Sequence, residues 1–250
     1  MAQHQNPGER LPAIVKSIEK MNHEVVRLKL DCPGVEQYFA GQYLKLYVDQ
    51  EKPGYYSLAS APGIDDELHL HVRRCAGGET SRWIHEQLQV GSEIQVSPPQ
   101  GTCYYHPVAL DRPLLMIGTG SGLAPLYGMA RTALINGHHG PVHLYHGVRQ
   151  HADLYLGEQL RALARLYPNF AYFPCVSREP ARHSYHGGRA LDLAVRATPL
   201  TERWCVYLCG HPQMVADAQV ALAQRGVPTD AIWSDLFGSN NIPGASAIAA

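Results

Sequence analysis

Three glycines at alternate positions, Gly118, Gly120 and Gly122, lie in LLMIGTGSGLAP, residues 114 to 125, where an apolar run gives way to a helix-forming stretch. Glycine lets a backbone turn tightly and approach a ligand, and a helix start offers free N–H groups and a favourable dipole to a pyrophosphate. The chemistry this favours is dinucleotide binding, with Gly118, Thr119, Gly120, Gly122 and Pro125 as candidate contacts. The spacing is not GxGxxG, and HGVRQ stands at the end of the second strand, where the dinucleotide fingerprint places an acid about 20 residues on. An ordinary dehydrogenase is therefore disfavoured.

Other reactive side chains do not assemble into a recognisable centre. The six cysteines, Cys32, Cys75, Cys103, Cys175, Cys205 and Cys209, are scattered through apolar or strand-like segments of a 250-residue chain. A chain of that size needs no disulfide staples, so they read as reduced thiols. Iron–sulfur ligation calls for thiolates brought together, and only Cys205 and Cys209 are close, flanking VYL in what reads as a buried strand. The 14 histidines show neither HExxH nor finger spacing; His138 and His139 fall in the turn-like NGHHG, and the histidines read as surface polar residues. No metal site is expected.

Two stretches of different pattern must position the glycine turn. Residues 10 to 108 read as short β-forming runs, LPAIVKSI, EVVRLKL, QYLKLYV, YYSLAS, ELHLHVRR and SEIQVSP, with clear alternation in LHLHV. One helical stretch near TSRWIHEQL, starting at Thr80 or Ser81, interrupts them. This predicts an antiparallel β-barrel with one face buried. From residue 113, PLLMI, VHLYH, FAYFPCV, WCVYLC and AIWSD alternate with helices over about 122–136, 155–166, 188–197 and 212–225. Apolar strands separated by helices predict an α/β domain with a five-stranded parallel sheet. The expected division is 1–108, 109–237 and a flexible small-residue tail, 238–250.

The bulk properties exclude several roles. Hydrophobic residues are 45% and charged residues 17%, which supports a globular core, and the formal net charge of −1 suits neither nucleic acid nor anionic membranes. No apolar run approaches a membrane span and the first residues lack a secretory pattern, so a cytoplasmic location is expected.

In order along the chain, GQY at 41–43, YYSLAS at 55–60, GGETS at 77–81, and GTGSGLAP followed by YLCGHPQMV at 207–215 resemble the ferredoxin–NADP reductase superfamily, which includes flavin reductases and oxygenase reductase components. The resemblance implies that Tyr56 packs against a flavin ring and Ser57 hydrogen-bonds its reactive edge. Tyr55, Leu58, His71, Val72 and Arg73 would line the same flavin. Gly77, Gly78, Thr80 and Ser81 would hold its phosphates, which a helix N-terminus also favours on physical grounds. Cys209 and Gly210 match the CG pair beside which the nicotinamide meets the flavin, with Met214 in the helix that follows. Phe237 would place an aromatic near the flavin, with Trp233 behind it. Ser177 and Arg178, after the third parallel strand, would read the adenosine ribose of NADPH or NADH.

One position departs from the pattern: Gly54 stands where the family's RxYS element has arginine, which removes a charge-assisted contact to flavin phosphate. Lys52, Arg73, Arg74 and Arg82 are the cations that would replace it. Weaker binding of FAD, or a different flavin such as FMN, is expected. The resemblance implies an NAD(P)H-dependent flavoprotein reductase that moves hydride from NAD(P)H to FAD, with Tyr56, Ser57, Cys209 and Phe237 shaping the transfer site. Its acceptor would be external: a ferredoxin-like protein, an oxygenase component or free flavin. Two alternatives are a reductase that uses flavin as substrate and a non-catalytic flavin- or nucleotide-binding subunit.

Overall fold

The structure is a computed structural model, and it describes residues 9–48, 53–106 and 109–237. Six strands build the first half: β1 (Leu11–Lys20), β2 (Val25–Asp31), β3 (Tyr43–Tyr47), β4 (Pro53–Ser57), β5 (Leu68–Arg73) and β6 (Glu93–Val96). They pair in the order β4-β3-β6-β1-β2-β5, every pair antiparallel. Leu58, just past β4, bridges to Leu70 of β5, and the Ala59 N–H donates to the His69 carbonyl at 2.8 Å, which closes the sheet into the expected barrel. Alternation decides the faces of β5. Leu68, Leu70 and Val72 enter the barrel core with Leu28, Leu44 and Ile84, while His69, His71 and Arg73 point outward.

Helix α1 (Glu79–Glu86) begins after an N-cap at Gly78, one to two residues before the expected start at Thr80 or Ser81. The Ser81 hydroxyl donates to the Gly78 carbonyl and accepts from the Cys75 N–H, so it braces the turn from inside the helix instead of capping it.

The second half holds β7 (Leu114–Thr119), α2 (Leu123–Ile135), β8 (Val142–Val148), α3 (Gly157–Leu166), β9 (Phe170–Val176), β10 (His186–Gly187), α4 (Ala190–Ala197), β11 (Cys205–Gly210), α5 (Pro212–Ala223) and β12 (Ile232–Leu236). The parallel sheet runs β10-β9-β8-β7-β11-β12. It has one strand more than the five expected. The loop after β9 folds back and lays His186 and Gly187 beside Cys175 and Val176; a two-residue strand leaves no apolar run to read.

One apolar cluster crosses between the halves. Val25, Ala40 and Cys103 pack with Met116, Leu126 and Met129 and with Tyr207 and Cys209. Not all the histidines are the surface residues expected: His23, His139, His151, His183, His186 and His211 are exposed, but His69, His71, His138 and His146 are buried. His71 faces outward from the barrel to meet Tyr127 and Tyr155 of the second half, His69 lies against Asp65 and Glu67 of the loop before β5, and His138 faces the Tyr105 hydroxyl at 3.4 Å. Among the described residues no helix is long and apolar enough to cross a membrane. The segment 238–250, expected as a flexible tail, and Lys52 lie outside the described residues.

Candidate active site

The chain leaves β7 to one side through β8 and returns on the other through β11, so the strand order reverses at β7. In open parallel sheets a ligand crevice lies beyond the carboxyl ends of strands at such a reversal. Gly118, Thr119, Gly120 and Gly122 occupy the end of β7 and a single turn of 3-10 helix leading into α2, and Cys209 and Gly210 end β11 directly beside them. A Cβ at Gly122 would stand 2.1 Å from the Cys209 carbonyl oxygen. Gly210, at φ +136°, would bring a Cβ to 2.2 Å from the Thr119 hydroxyl oxygen, which itself accepts from the His211 N–H at 3.0 Å. Both glycines are thus required for the two strand ends to close on each other. No side chain caps the helix that follows the turn, which leaves first-turn N–H groups for an anion. Pro125 is buried in that first turn.

The barrel brings its residues to the same seam. Ser57, at the end of β4, is buried, and its hydroxyl donates to Asp235 Oδ2 of β12 at 3.4 Å across the two halves. Asp235 pairs in register with Cys209. The Cys209 thiol hydrogen-bonds the buried thiol of Cys103; burial first, and then the nearby Asp235 charge, move the Cys209 pKa up and keep it a thiol, against the Cys103 hydrogen bond, which acts to lower it. Such a cysteine is a wall of the site and not a nucleophile. Phe237 follows β12, and its N–H donates to the Gly210 carbonyl at 2.7 Å. Behind it Trp233 stacks between His106 and Tyr207, with ring centroids at 4.8 and 5.2 Å.

Tyr56 shows what Gly54 does. A Cβ at Gly54 would lie 2.7 Å from Tyr56 Cε2 and 2.8 Å from Thr80 Cγ2, so the tyrosine ring lies over the missing side chain against the start of α1. That start has no side-chain cap. Of the cations expected to replace the arginine, Arg74 is paired with Glu86, and Arg73 donates to Glu24 at 2.8 Å while a Cβ at Gly120 would lie 3.8 Å from its guanidinium. Arg82 is exposed and carries no ion pair among the described residues.

Other candidates stand in supporting places. Leu58 and Val72 fill the barrel core, and Met214 packs into the core under α5, so any contact they make with a cofactor is through backbone. Tyr55 faces Tyr43 at 5.9 Å. The His71 ring meets Tyr155 edge-on at 5.4 Å. Ser177 and Arg178 continue beyond β9, where their N–H groups donate to the carbonyls of Val148 and Arg149 at 3.0 Å each. Arg149 and Arg178 thereby expose two guanidinium side chains beyond the ends of β8 and β9.

Two groups at this seam went unread in the sequence, Asp235 and His146. The sole trace of each was a polar residue in an apolar strand, in IWSDL and VHLYHGV.

A family model described as an oxidoreductase FAD-binding domain matches residues 12–105, and one described as an oxidoreductase NAD-binding domain matches residues 116–220. The ferredoxin–NAD(P)(+) reductase component of the naphthalene 1,2-dioxygenase/salicylate 5-hydroxylase systems of a Ralstonia species is 33% identical over 232 residues, 93% of this chain and 70% of that protein.

The chain belongs to the ferredoxin–NADP reductase superfamily.

The aromatic O-demethylase reductase subunit of Amycolatopsis is 35% identical over 240 residues, covering 93% of this chain and 70% of its own. The solved structure of the Amycolatopsis cytochrome P450 reductase GcoB superposes with a TM-score of 0.86 at 35% identity, covering 92% of this chain and 70% of that one. The flavohaem-like FAD/NAD-binding domain of a Vibrio cholerae nitric oxide dioxygenase, 22% identical with a TM-score of 0.80, shares the fold, covering 91% of this chain and 98% of that one. As a ferredoxin–NADP reductase-like protein, this chain is an NAD(P)H-dependent flavoprotein oxidoreductase that uses FAD. The uncapped start of α1, the buried Ser57 and the glycine-lined crevice fit those two cofactors.

Proposed function

We propose that this chain is the reductase of a multicomponent oxygenase or a related ferredoxin-linked system, and that its halves divide near residue 108. The observation that carries the reading is the meeting of Ser57 from the barrel with Asp235 and Cys209 from the parallel sheet, beside the Gly118–Gly122 turn. Relatives named as reductase components of dioxygenase and monooxygenase systems support it. FAD, when bound, accepts hydride as a pair of electrons and releases electrons singly, which a nicotinamide does not.

The residues do the rest. Gly77, Gly78 and Thr80 offer N–H and hydroxyl donors to flavin phosphate, with Ser81 holding their turn. Tyr56 would cover a flavin face, and Ser57, whose O–H donates to Asp235, would present its oxygen as an acceptor to the flavin's reactive edge. Gly118 to Gly122 take the pyrophosphate of NAD(P)H. Cys209, Gly210 and Phe237 would line the place where the nicotinamide meets the flavin, where alignment within about 1 Å governs the transfer rate. Arg178, with Arg149 beside it, reads the adenosine ribose and inclines the site towards NADPH. A cytoplasmic location belongs to the same reading.

Anaerobic addition of NADPH or NADH to the flavin-loaded protein tests it: the visible flavin absorbance is expected to bleach, and bound flavin that stays oxidised with both nucleotides would refute the reading. Comparing kcat/KM for the two nucleotides in the parent and in Arg178→Ala tests the ribose assignment, which an unchanged preference removes. A second reading, a reductase that takes flavin as substrate, is favoured by one observation, the side-chain-free Gly54. Sequential kinetics with added flavin, from protein purified without flavin, would establish it in place of the first.

A further inference from the structure

His146 is 0% exposed, in the middle of the parallel sheet, two residues after Leu144, which fills the same face with hydrocarbon. An imidazole in that place costs free energy unless both ring nitrogens find partners. Both do. Nε2 lies 3.0 Å from the Gly120 carbonyl oxygen, and Nδ1 lies 3.4 Å from the Tyr172 hydroxyl. A carbonyl only accepts, so the proton is on Nε2, and Nδ1 accepts from the tyrosine. Burial pushes the His146 pKa down to about 4, so the ring is neutral.

The carbonyl it reaches is the middle of the glycine turn. Gly120 has φ +55°, a left-handed conformation, and its oxygen also accepts the Leu123 N–H that closes the single 3-10 turn into α2. A glycine-rich loop loses much backbone freedom when it takes one shape, and a ligand that has to impose that shape binds more weakly for it. On the other side the ring is held edge-on by Tyr155 at 5.6 Å, and Tyr155 is held edge-on by His71 of the barrel at 5.4 Å. The anchor is therefore fixed from β9 through Tyr172 and from the barrel through Tyr155.

We propose that His146, its tautomer set by Tyr172, is a positioning residue that holds the Gly118–Gly122 turn in its nucleotide-ready shape before NAD(P)H arrives. The proposal rests on the reading of this turn as the dinucleotide site. It assigns to His146 no contact with either cofactor.

The test uses flavin-loaded protein and three variants: His146→Phe keeps a ring without a donor, His146→Gln keeps an N–H donor, and Tyr172→Phe removes only the hydroxyl. Steady-state kinetics and hydrogen–deuterium exchange of the peptide carrying residues 118–123 are read on each. His146→Phe is expected to raise KM for NAD(P)H about three- to tenfold, the effect of one lost net hydrogen bond, with kcat and flavin content near the parent's. The turn should exchange faster in the same variant. His146→Gln should recover most of both readouts, and Tyr172→Phe should move both in the same direction by less.

Parental exchange in the turn of His146→Phe overturns the anchor. Faster exchange with parental KM overturns the proposal by a separate route, the assignment of the turn to the nucleotide. If His146→Gln is as impaired as His146→Phe, ring volume and not the donated proton matters, and the proposal falls. Should His146→Phe fail to fold, Tyr172→Phe and the nitrogen-15 spectrum of the parent imidazole decide: a neutral Nε2–H tautomer across the neutral pH range supports it, and a protonated ring or Nδ1–H tautomer refutes it.

Discussion

Arg131 of α2 donates two hydrogen bonds, at 2.6 and 2.9 Å, to the two carboxylate oxygens of Asp65 in the loop before β5, and so clasps the parallel-sheet half to the barrel. Asp65 also accepts the Ala61 N–H at 2.8 Å. Burial, the largest single influence, pushes the Asp65 carboxyl up, but the Arg131 hydrogen bonds, the Ala61 N–H and the nearby Arg131 and His69 charges together outweigh it and hold the group below the usual carboxylate range. The pair is partly buried, so removing one member leaves a charge that water reaches in part, at a cost of about 1–3 kcal/mol, below the penalty for a fully buried pair. Arg131→Met is expected to lose stability on that scale in urea unfolding, and the double variant Asp65→Asn/Arg131→Met should regain much of it. A single variant as stable as the parent would show that the clasp is ornamental.

Gly54 is the second place where a small change should be felt. Because Tyr56 and Thr80 already fill the space a Cβ would need, Gly54→Ala should displace the Tyr56 ring and weaken FAD binding several-fold, although alanine adds one carbon. Titration of flavin-free protein with FAD gives the affinity. Tighter binding in Gly54→Ala would mean that Tyr56 does not keep this position over the flavin.

Asp235→Asn keeps the size of the side chain beside Ser57 and removes its charge. If the carboxylate orients the Ser57 hydroxyl, flavin reduction at saturating NAD(P)H should slow by about tenfold or more, the equivalent of about 1.4 kcal/mol of barrier, with nucleotide affinity little changed. Stopped-flow absorbance under anaerobic conditions reads the rate constant directly. An unchanged rate would reduce Asp235 to packing.

The buried histidines set a pH dependence. Burial lowers His71 to about 3 and His146 to about 4, both well below the unfolded imidazole. Between those values and about 6.5 the unfolded chain binds protons that the folded one does not, so stability is full above about 6.5 and falls as pH drops towards 4. Each histidine adds about 1.4 kcal/mol of lost stability per pH unit in that window. Thermal unfolding from neutral pH down to pH about 5 should show a falling Tm, less steep in His71→Phe, and a flat profile would contradict the neutral state of both rings.

Much of the architecture was legible because it repeats locally. LHLHV announces a strand with two unlike faces, and LLMI running into alternate glycines announces a strand, a turn and a helix start; β5, β7 and α2 fall there. What was hidden depends on partners far along the chain. Asp235 acquires its meaning from Ser57, 178 residues away, and His146 from Gly120 and Tyr172, each 26 residues away. His71 reads as outward-facing from the alternation of β5, which is correct for the barrel taken alone. Pattern does not disclose that a second layer covers that face. Tyr56 lying over Gly54 was equally invisible, because a glycine in a sequence shows an absent side chain and not what fills the gap.

The apolar cluster that runs from Ala40 and Cys103 to Met129 and Cys209 has a consequence for how such a protein can be altered. A cut near residue 107 would leave each half with a raw hydrophobic wall in water, so neither piece is a ready-made module for grafting elsewhere. Heat should dismantle the two halves together, as one event. A change of side-chain volume on the barrel's wall must be answered on α2 or β11, so the flavin half and the nucleotide half are bound to vary in concert.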